Sequence, residues 1–597
     1  MNTKTLIILS IFILFLTACI AQPQVQVSYD PAALRFDNQH AFELQGEFAS
    51  RFPYRSSGQP NSQLAVEWIR QQMTGYGWTC QIDEWAVVNY SQPVIMRNVV
   101  CSLPGASPKE ILVVAHHDQS PATIEGADND ASGIAILLEL ARIFGSEQTP
   151  PYTLVFVASD GEEYGMLGTR RYIQMHPNPG DIIAGISLDN LGKALYTGMK
   201  VEAIGQFRNY GQIWLQLAAQ DVAQAAGDLW ITQLRAPLDQ VLDQAVPISF
   251  MDQGPMVAAG VPALGFAGVI PPESAELSWS TYHTPLDTMQ VESASTLYQT
   301  GRIPEALIRQ LLSMKTFPNE PGPYIYFESS RQTLRGASLW AIFVVFVALF
   351  FVGSFFSGGT RLKGKLFRWI EVLPHYLSLW LPLVASILLL YLFVAVGLMD
   401  KYELYPATTK DPAIVTPHWP AVILFLLGLV AFFTLSRWLL RRFSGSRTAP
   451  ETGIVKSLAL FVVGLAAVYI LLINPFSLLF FVPLLFWFLI KGRRGFGRLL
   501  DILWFILGGL IVYALFYFFG FVIQRSNFAV LWYMMMMFSI REVGFLTALV
   551  ITAIIAAGLS MIVKPIRPMI LVFAEPSPQR ISPTGGTVKG GENGNSA

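Results

Sequence analysis

Charged residues are scarce in this chain of 597 residues, and their scarcity is the first constraint on its class. They make up 14% of the sequence, whereas an ordinary soluble protein has about 25%. Hydrophobic residues make up 53%, so much of the chain must avoid water, which favours a membrane protein. The formal net charge of −1 gives no reason to expect a nucleic-acid partner.

Cysteine is also scarce, with three residues in the whole chain. Two of them, Cys80 and Cys101, lie in strand-like runs. An oxidising compartment would allow these two to form a disulfide, whereas two buried free thiols are the alternative. The sequence leaves both open.

The first 22 residues have the features of an export signal. Lys4 precedes an apolar run from Leu6 to Leu16 that is too short to span a membrane but fits the hydrophobic part of a secretory signal. The sequence LTAC that ends at Cys19 resembles the lipobox of bacterial lipoproteins, in which the cysteine is lipidated after cleavage. An uncleaved anchor is the alternative, and both interpretations predict export of the domain that follows.

Long apolar runs dominate the chain from Leu339 onward. A helix needs about 17–25 apolar residues to cross the hydrocarbon core. By that measure we predict seven membrane spans, near 337–356, 372–399, 420–440, 455–473, 475–490, 502–523 and 545–563. The fifth is the shortest and could be a half-length or tilted element.

These features divide the chain into five segments. Residues 1–22 are a signal peptide or lipoprotein signal, and residues 30–316 have the mixed composition of a soluble domain. Residues 317–336 are expected to be a linker, residues 337–565 a seven-span membrane domain, and residues 576–597 a disordered tail rich in Gly, Ser, Pro and Asn.

Lysine and arginine concentrate in every second connection between the predicted spans, namely those after the first, third, fifth and seventh. These residues accumulate on the cytoplasmic side of membrane proteins. We therefore expect a multi-pass protein of the cytoplasmic membrane, with the soluble domain outside and the C-terminus inside. The lipid bilayer is a predicted partner, and the oligomeric state is left open.

Short β-rich runs alternate with helical patterns in the soluble domain. The runs 111–115, 153–159 and 182–188 surround a helix predicted at about 131–145, which indicates an α/β fold with a mostly parallel sheet flanked by helices. Ligand sites in such sheets lie beyond the carboxyl ends of the strands. Histidine and carboxylate residues, which are good ligands of Zn²⁺, occupy those positions here.

Five ordered motifs carry a resemblance to a known family. They are HxD at 116–118, GADNDASG at 126–133, DGEExGxxG at 160–168, LD at 188–189 and YHTPxDT at 282–288. Each alone has a structural explanation, such as a turn and helix cap for GADNDASG. Together, over residues 40–312, they resemble the co-catalytic zinc aminopeptidases, peptidase family twenty-eight. The resemblance implies a zinc-exopeptidase-like domain followed by an all-α membrane region.

The resemblance also implies two zinc ions. It assigns His116 and Asp189 to one Zn²⁺, and Glu163 and His283 to the other. The fourth position of the GADNDASG motif supplies the carboxylate that bridges the two ions in the family. In this chain Asn129 stands at that position.

Two further residues receive catalytic roles from the resemblance. Glu162 would be the general base that moves a proton from water to the leaving amine. Asp118 would hydrogen-bond the far nitrogen of His116 and fix its tautomer.

Asn129 changes what this site can hold, because an amide offers metal only a neutral carbonyl oxygen. The site could hold two ions weakly, or one ion through Glu163 and His283. A shift of one residue could instead bring Asp128 or Asp130 into the bridging position, but it would disturb the helix that follows.

The first functional hypothesis is a membrane-anchored metal-dependent peptidase of aminopeptidase type, which hydrolyses peptides outside the cytoplasmic membrane. The alternative is a catalytically impaired pseudopeptidase that binds peptides as a sensor or assembly module, which Asn129 favours. A transport function of the membrane part is a third hypothesis, but few charged residues lie inside the spans.

Overall fold

The computed structural model describes residues 19–89, 91–320, 322–357, 362–402, 416–443, 452–490, 527–541 and 543–563, with a few single positions between 499 and 507. Most of the predicted export signal lies outside the described residues. The same is true of most of the sixth predicted span and of the predicted C-terminal tail.

The soluble domain is built on an eight-stranded mixed sheet with the strand order β2-β3-β5-β4-β6-β9-β7-β8. A second sheet has three strands in the order β1-β11-β10. The strands are β1 Cys19–Ala21, β2 Thr79–Asn89, β3 Gln92–Leu103, β4 Ser107–His116, β5 Tyr152–Ser159, β6 Ile182–Leu188, β7 Met199–Glu202, β8 Thr232–Gln233, β9 Ala263–Gly268, β10 Tyr324–Phe327 and β11 Gln332–Arg335.

The centre of the large sheet is parallel, as predicted. Strands β5, β4, β6 and β9 run in one direction, and the runs predicted at 111–115, 153–159 and 182–188 lie within β4, β5 and β6, respectively. Strand β2 pairs antiparallel with β3 and β3 with β5, while β7 pairs antiparallel with β9 and parallel with the edge strand β8. The predicted fold class, a mixed and mostly parallel sheet flanked by helices, is confirmed.

Helices cover both faces of the large sheet. On β4, Ile111 and Val113 belong to one hydrophobic core, and Leu112 and Val114 belong to another. This alternation explains why the strand is a continuous apolar run, because both of its faces are buried. The helices are α1 Asn38–Arg51, α2 Pro60–Gly75, α3 Gly133–Gly145, α4 Leu167–Met175, α5 Ile213–Ala226, α6 Pro237–Ala245, α7 Gln253–Ala258, α8 Ala275–Thr281 and α9 Ala294–Ser313.

Residues 317–336, suggested by the sequence as a linker, contain β10 and β11. The Tyr324 side chain donates a hydrogen bond to the carbonyl of Gly211 at 2.8 Å, so this hairpin is attached to the soluble domain. Strand β1 adds to β11 with Cys19 opposite Leu334.

The C-terminal region is helical. Its helices are α10 Gly336–Ser357, α11 Leu362–Ala395, α12 Trp419–Phe443, α13 Thr452–Ile473, α14 Leu478–Ile490, α15 Asn527–Ser539 and α16 Phe545–Ile562. Among the described residues, four stretches are long and apolar enough to cross a membrane: Trp369–Ala395, Trp419–Leu440, Gly453–Ile473 and Phe545–Ile562. The first and fifth predicted spans coincide with shorter apolar helices. A membrane-spanning region is thus supported, and its seven-span form stays a prediction.

Cys80 and Cys101 are joined by a disulfide. They are opposite each other in the antiparallel pairing of β2 with β3, so the bond connects adjacent strands at the edge of the sheet. Of the two possibilities that the sequence left open, the structure has the paired one.

This disulfide should stabilise the soluble domain. The bond closes a loop with a sequence separation of 21 residues, for which loss of chain entropy predicts about 3 kcal/mol. We expect replacement of both cysteines by serine to lower the Tm by about 6 °C, measured by tryptophan fluorescence on the detergent-solubilised chain. A reductant should lower the Tm of the natural protein to the same value and leave the double variant unchanged. An equal Tm for both proteins without reductant would contradict the prediction.

Candidate metal centre

The five residues predicted to bind metal, together with Glu162, meet at the carboxyl edge of the parallel strands. His116 ends β4, the two glutamates follow β5, and Asp189 follows β6. Asn129 lies in an irregular turn before α3, and His283 follows α8. The fractional exposure of the residues in this cluster is low: His116 1%, Asn129 4%, Glu162 9%, Glu163 3% and Asp189 5%.

The ligand atoms form two close pairs. His116 Nε2 lies 3.8 Å from Asp189 Oδ1, and His283 Nε2 lies 3.1 Å from Glu163 Oε2. Two tetrahedral ligands of one Zn²⁺ are about 3.4 Å apart, given bond lengths of about 2.1 Å. Each pair therefore has the spacing of ligands that share an ion.

Asn129 lies between the two pairs and contacts both. Its Oδ1 lies 2.9 Å from His116 Nε2. Its Nδ2 donates to Glu163 Oε1 at 2.8 Å and lies 2.9 Å from His283 Nε2. The opposite orientation of the amide would place two oxygen acceptors against each other at Glu163, so the hydrogen-bonding chemistry favours the observed one.

The two aspartates beside Asn129 have different environments. Asp128 accepts hydrogen bonds from the Gly192 N–H at 2.9 Å and the Tyr196 hydroxyl at 2.6 Å, so its carboxylate faces away from the site. Asp130 accepts from the backbone N–H of His116 at 3.2 Å.

Asp130 is a site residue that sequence reasoning did not assign as a ligand in its own right. Ligand atoms of His116, Asp130 and Asp189 all lie within 4.8 Å of one another. The sequence placed Asp130 only as a neighbour of the bridging position, and no local pattern shows which way its carboxylate points.

The local structure explains why glycine stands at both ends of the GADNDASG motif. Gly126 has a φ of +56°, a left-handed conformation that side chains rarely adopt. A Cβ on Gly133 would lie 2.4 Å from Asp130 Oδ2, so only glycine allows the carboxylate to occupy its place. The motif therefore encodes the turn that presents Asn129 and Asp130.

The Asp118 carboxylate contacts both the His116 ring and the backbone of Glu162. Its Oδ1 lies 3.4 Å from His116 Nδ1 and accepts the Glu162 N–H at 3.2 Å. Burial opposes ionisation of Asp118, but the His116 ring, His117 and the Glu162 N–H outweigh it and lower the pKa of the carboxyl. The nearer partner of His116 Nδ1 is the backbone oxygen of Asp118 at 3.0 Å, so the orienting role of the carboxylate stays a prediction.

Glu162 lies beside the His116 pair, with its Oε2 3.9 Å from His116 Nε2. Burial raises the pKa of this carboxyl well above its ordinary value, and the charges of Asp189, Glu163 and Asp252 raise it further while His116 lowers it. The carboxylates crowd together here, so the site is strongly electronegative.

A layer of charged residues behind the site holds the Asn129 turn. Asp287 Oδ1 accepts the Asp128 N–H at 2.9 Å, and its Oδ2 accepts the Asn129 N–H at 3.2 Å. Lys193 Nζ lies 3.0 Å from Asp128 Oδ2, and both side chains are buried. Arg55, also buried, donates to the carbonyl oxygen of Gly126 at 2.8 Å. Sequence reasoning assigned no role to Lys193 or Arg55, because neither lies near the motifs in a recognisable pattern.

Replacement of Lys193 by methionine should destabilise the domain, because the Asp128 carboxylate would stay buried without its cation. Breaking a buried pair in this way costs about 3 kcal/mol or more, and we expect the Tm to fall by several degrees in thermal unfolding. Lys200, whose side chain is 41% exposed beside Glu202, provides the matched control. Its replacement by methionine should cost no more than about 1 kcal/mol. Similar Tm values for the two variants would refute the role given to Lys193.

Comparison with known proteins agrees with this geometry. Residues 98–308 match the sequence profile of Peptidase family M28. We call the soluble domain, residues 30–316, the M28 domain because it contains this match. All the motifs at the site lie within the matched residues, which include His116 and His283.

Two curated relatives of the M28 domain differ in their descriptions. A probable zinc metalloprotease of Pyricularia oryzae is 33% identical over 183 residues, which are 26% of this chain and 34% of that protein. The BOS complex subunit NCLN of Canis lupus familiaris is 39% identical over 101 residues, 16% of this chain and 17% of that protein. The chain thus spans only a minor part of the length of both relatives.

Solved structures similar to the M28 domain include a zinc aminopeptidase from Bacillus subtilis. It has 15% identity and a TM-score of 0.40, and it covers 47% of this chain and 96% of its own. A glutaminyl cyclase of Porphyromonas gingivalis has 22% identity and a TM-score of 0.40, with 46% of this chain and 98% of its own covered.

Proposed function

We propose that this protein is a membrane-anchored zinc peptidase of aminopeptidase type that acts on peptides outside the cytoplasmic membrane. The observation that carries the proposal is the position of Glu162 in the M28 domain, next to the ligand pair His116 and Asp189. A general base must lie near both a metal-activated water and the scissile bond, and Glu162, 3.9 Å from His116 Nε2, would lie close to a water held there.

The donor set at His116 fits Zn²⁺. It combines one imidazole, the carboxylates of Asp189 and Asp130, and the amide oxygen of Asn129, all groups that coordinate this ion. When bound, Zn²⁺ polarises a peptide carbonyl and lowers the pKa of coordinated water.

We further propose that the site holds a single ion on the His116 side. The Asn129 NH₂ group points at Glu163 and His283, and an NH₂ group cannot coordinate a cation. It supplies hydrogen bonds at the place where a second ion would need ligands. The proposal therefore places the one ion at His116 and Asp189, whereas one of the alternatives from the sequence placed it at Glu163 and His283.

Glu162 and Asp118 have different roles in the proposed hydrolysis. Glu162 takes a proton from the attacking water and delivers it to the leaving amine. Asp118 holds the His116 ring in one orientation through Nδ1. The cluster of carboxylates attracts the protonated amino terminus of a peptide, which supports the aminopeptidase type.

Several features support an extracytoplasmic location of the M28 domain. The disulfide between Cys80 and Cys101 is typical of an oxidising compartment. The segments at Lys401 and Asn474, which the charge pattern predicts to lie outside, both contact the domain. The proposed partners are peptides and the lipid bilayer, with no nucleic acid, and the C-terminus is proposed to be cytoplasmic.

A pseudopeptidase that binds peptides without cutting them is the second candidate, and one observation favours it. An amide rather than a carboxylate contacts Glu163 and His283 at Asn129, so the bridging anion that the resemblance implies is missing from this site. In that case the domain would bind amino termini through the same carboxylates.

Replacement of Glu162 by glutamine tests catalysis directly. General-base catalysis contributes about 100-fold or more, so we expect at least that loss in kcat for aminoacyl-nitroanilides with the detergent-solubilised full chain. Zinc content should stay unchanged because Glu162 is not a proposed ligand. The same change at the exposed Glu43 is the control. Absence of turnover in the natural protein, with metal present, would favour the pseudopeptidase.

Replacement of Asn129 by aspartate tests the single-ion proposal. An aspartate can place one anionic oxygen towards each ligand pair, so the variant should bind about twice as much zinc as the natural protein. Elemental mass spectrometry after equilibration with zinc and removal of free ions measures the ratio. Two ions per chain in the natural protein would show that the amide does not exclude the second ion.

A further inference from the structure

The catalytic edge of the M28 domain faces the membrane part, as the hairpin of β2 and β3 indicates. Strand β3 is antiparallel to β5, with Val99 opposite Ala158 near the carboxyl end of β5. Ser91 at the tip of the hairpin precedes Val99 by eight residues, so at about 3.4 Å per residue the tip extends roughly 25 Å beyond that edge. The tip therefore projects from the same edge as the candidate metal centre.

The hairpin tip contacts the segment that follows α11. The Ser91 N–H donates to the carbonyl of Lys401 at 3.2 Å, and the Ser91 hydroxyl donates to Asp400 Oδ1 at 3.2 Å. The contact lies just beyond the apolar stretch Trp369–Ala395. One end of a candidate span is thus held in front of the catalytic edge.

A second contact connects the membrane part to the site through α6. Asn474 Nδ2 donates to the Gln244 carbonyl at 2.6 Å, and the Ser477 hydroxyl donates to the Ala245 carbonyl at 2.7 Å. The chain then continues from Ala245 to Asp252, which accepts from Ser159 at the end of β5. The membrane part therefore contacts the soluble domain both at the hairpin tip and beside the segment that leads to Asp252.

The loops around the site expose large apolar side chains on this edge. Phe250 is 53% exposed, Leu277 59%, Trp279 44% and Leu286 60%. Trp279 contacts Tyr282 edge to face at 5.6 Å, and Tyr282 stacks on His283 at 3.8 Å. A continuous row of rings thus leads from the exposed rim to a residue of the metal centre.

The methionine-rich helix α15 belongs to the same region. Its Val530, Met535 and Met536 pack in one cluster with Met399 and Tyr402, which flank the segment that holds the hairpin tip. Methionine side chains adapt to apolar partners of varied shape. The helix α15 therefore packs against the segment that contacts the hairpin tip, while the exposed apolar groups lie on the rim of the site.

We infer that the substrate of this site is the amino-terminal segment of a polypeptide held by the same bilayer, through a membrane span or a lipid. The inference rests on the proposed peptidase function and names its substrate class. An apolar rim that faces the membrane part favours chains that leave the bilayer over hydrophilic peptides from bulk water. A substrate held in the same membrane also has a high effective concentration at the site.

The test compares two peptides with the same amino-terminal sequence, one soluble and one carrying a C-terminal palmitoyl group. The full chain is reconstituted in vesicles of phosphatidylcholine and phosphatidylglycerol, and release of the first residue is measured for both. We expect kcat/KM to be at least about tenfold higher for the anchored peptide, because anchoring raises its effective concentration at the site. Serine at both Trp279 and Leu286 should lower this ratio.

Met175, which is 66% exposed, provides the control variant. It ends α4, just before the start of β6, and so lies at the opposite edge of the sheet. Serine at this position should leave the ratio unchanged. Equal hydrolysis of both peptides, abolished by Glu162→Gln, would refute the inference and leave the peptidase proposal intact. Hydrolysis of neither peptide would overturn the proposed function and this inference with it.

Discussion

A single carboxamide joins the two halves of the metal centre. Asn129 presents its oxygen to His116 and its NH₂ group to Glu163 and His283, and the proposal of a single ion on the His116 side rests on these contacts. The surrounding structure serves to hold this side chain in place. Asp287 binds the backbone of the turn, and Lys193 neutralises the aspartate beside it.

The charge of the site explains why it matters that position 129 is an asparagine and not the aspartate of the family pattern. Buried carboxylates a few ångströms apart repel one another strongly unless cations or hydrogen-bond donors intervene. An aspartate at position 129 would add a negative charge that two dications can balance. The amide removes that charge and supplies two N–H donors, so the pair at Glu163 is satisfied without an ion. This balance supports the proposal of one ion and one hydrogen-bonded half.

Much of the fold and of the site could be predicted from the sequence, because both depend on local patterns. The apolar runs of β4, β5 and β6 are continuous since both faces are buried, and residues that follow parallel strands must meet at one edge. His116 and Asp189 were found in this way. The sequence also showed that Asn129 stands where the family pattern has an aspartate.

The features of the fold and of the site that could not be predicted depend on contacts between residues distant in sequence. The orientation of the Asn129 amide is set by Glu163 and His283, more than 30 residues away, and no local pattern contains it. Likewise β11 forms because β1 and β10 pair with it, whereas its own four residues resemble a linker. The approach of the hairpin tip to Lys401 joins elements about 310 residues apart, and no sequence motif marks it.

The most direct measurement is the position of bound zinc by anomalous X-ray scattering from crystals of the full chain grown with zinc. The account predicts one anomalous peak within coordination distance of His116 and Asp189, with the Asn129 oxygen facing it. A second peak of similar height between Glu163 and His283 would contradict the account, because it would require the Asn129 amide to turn away from that pair.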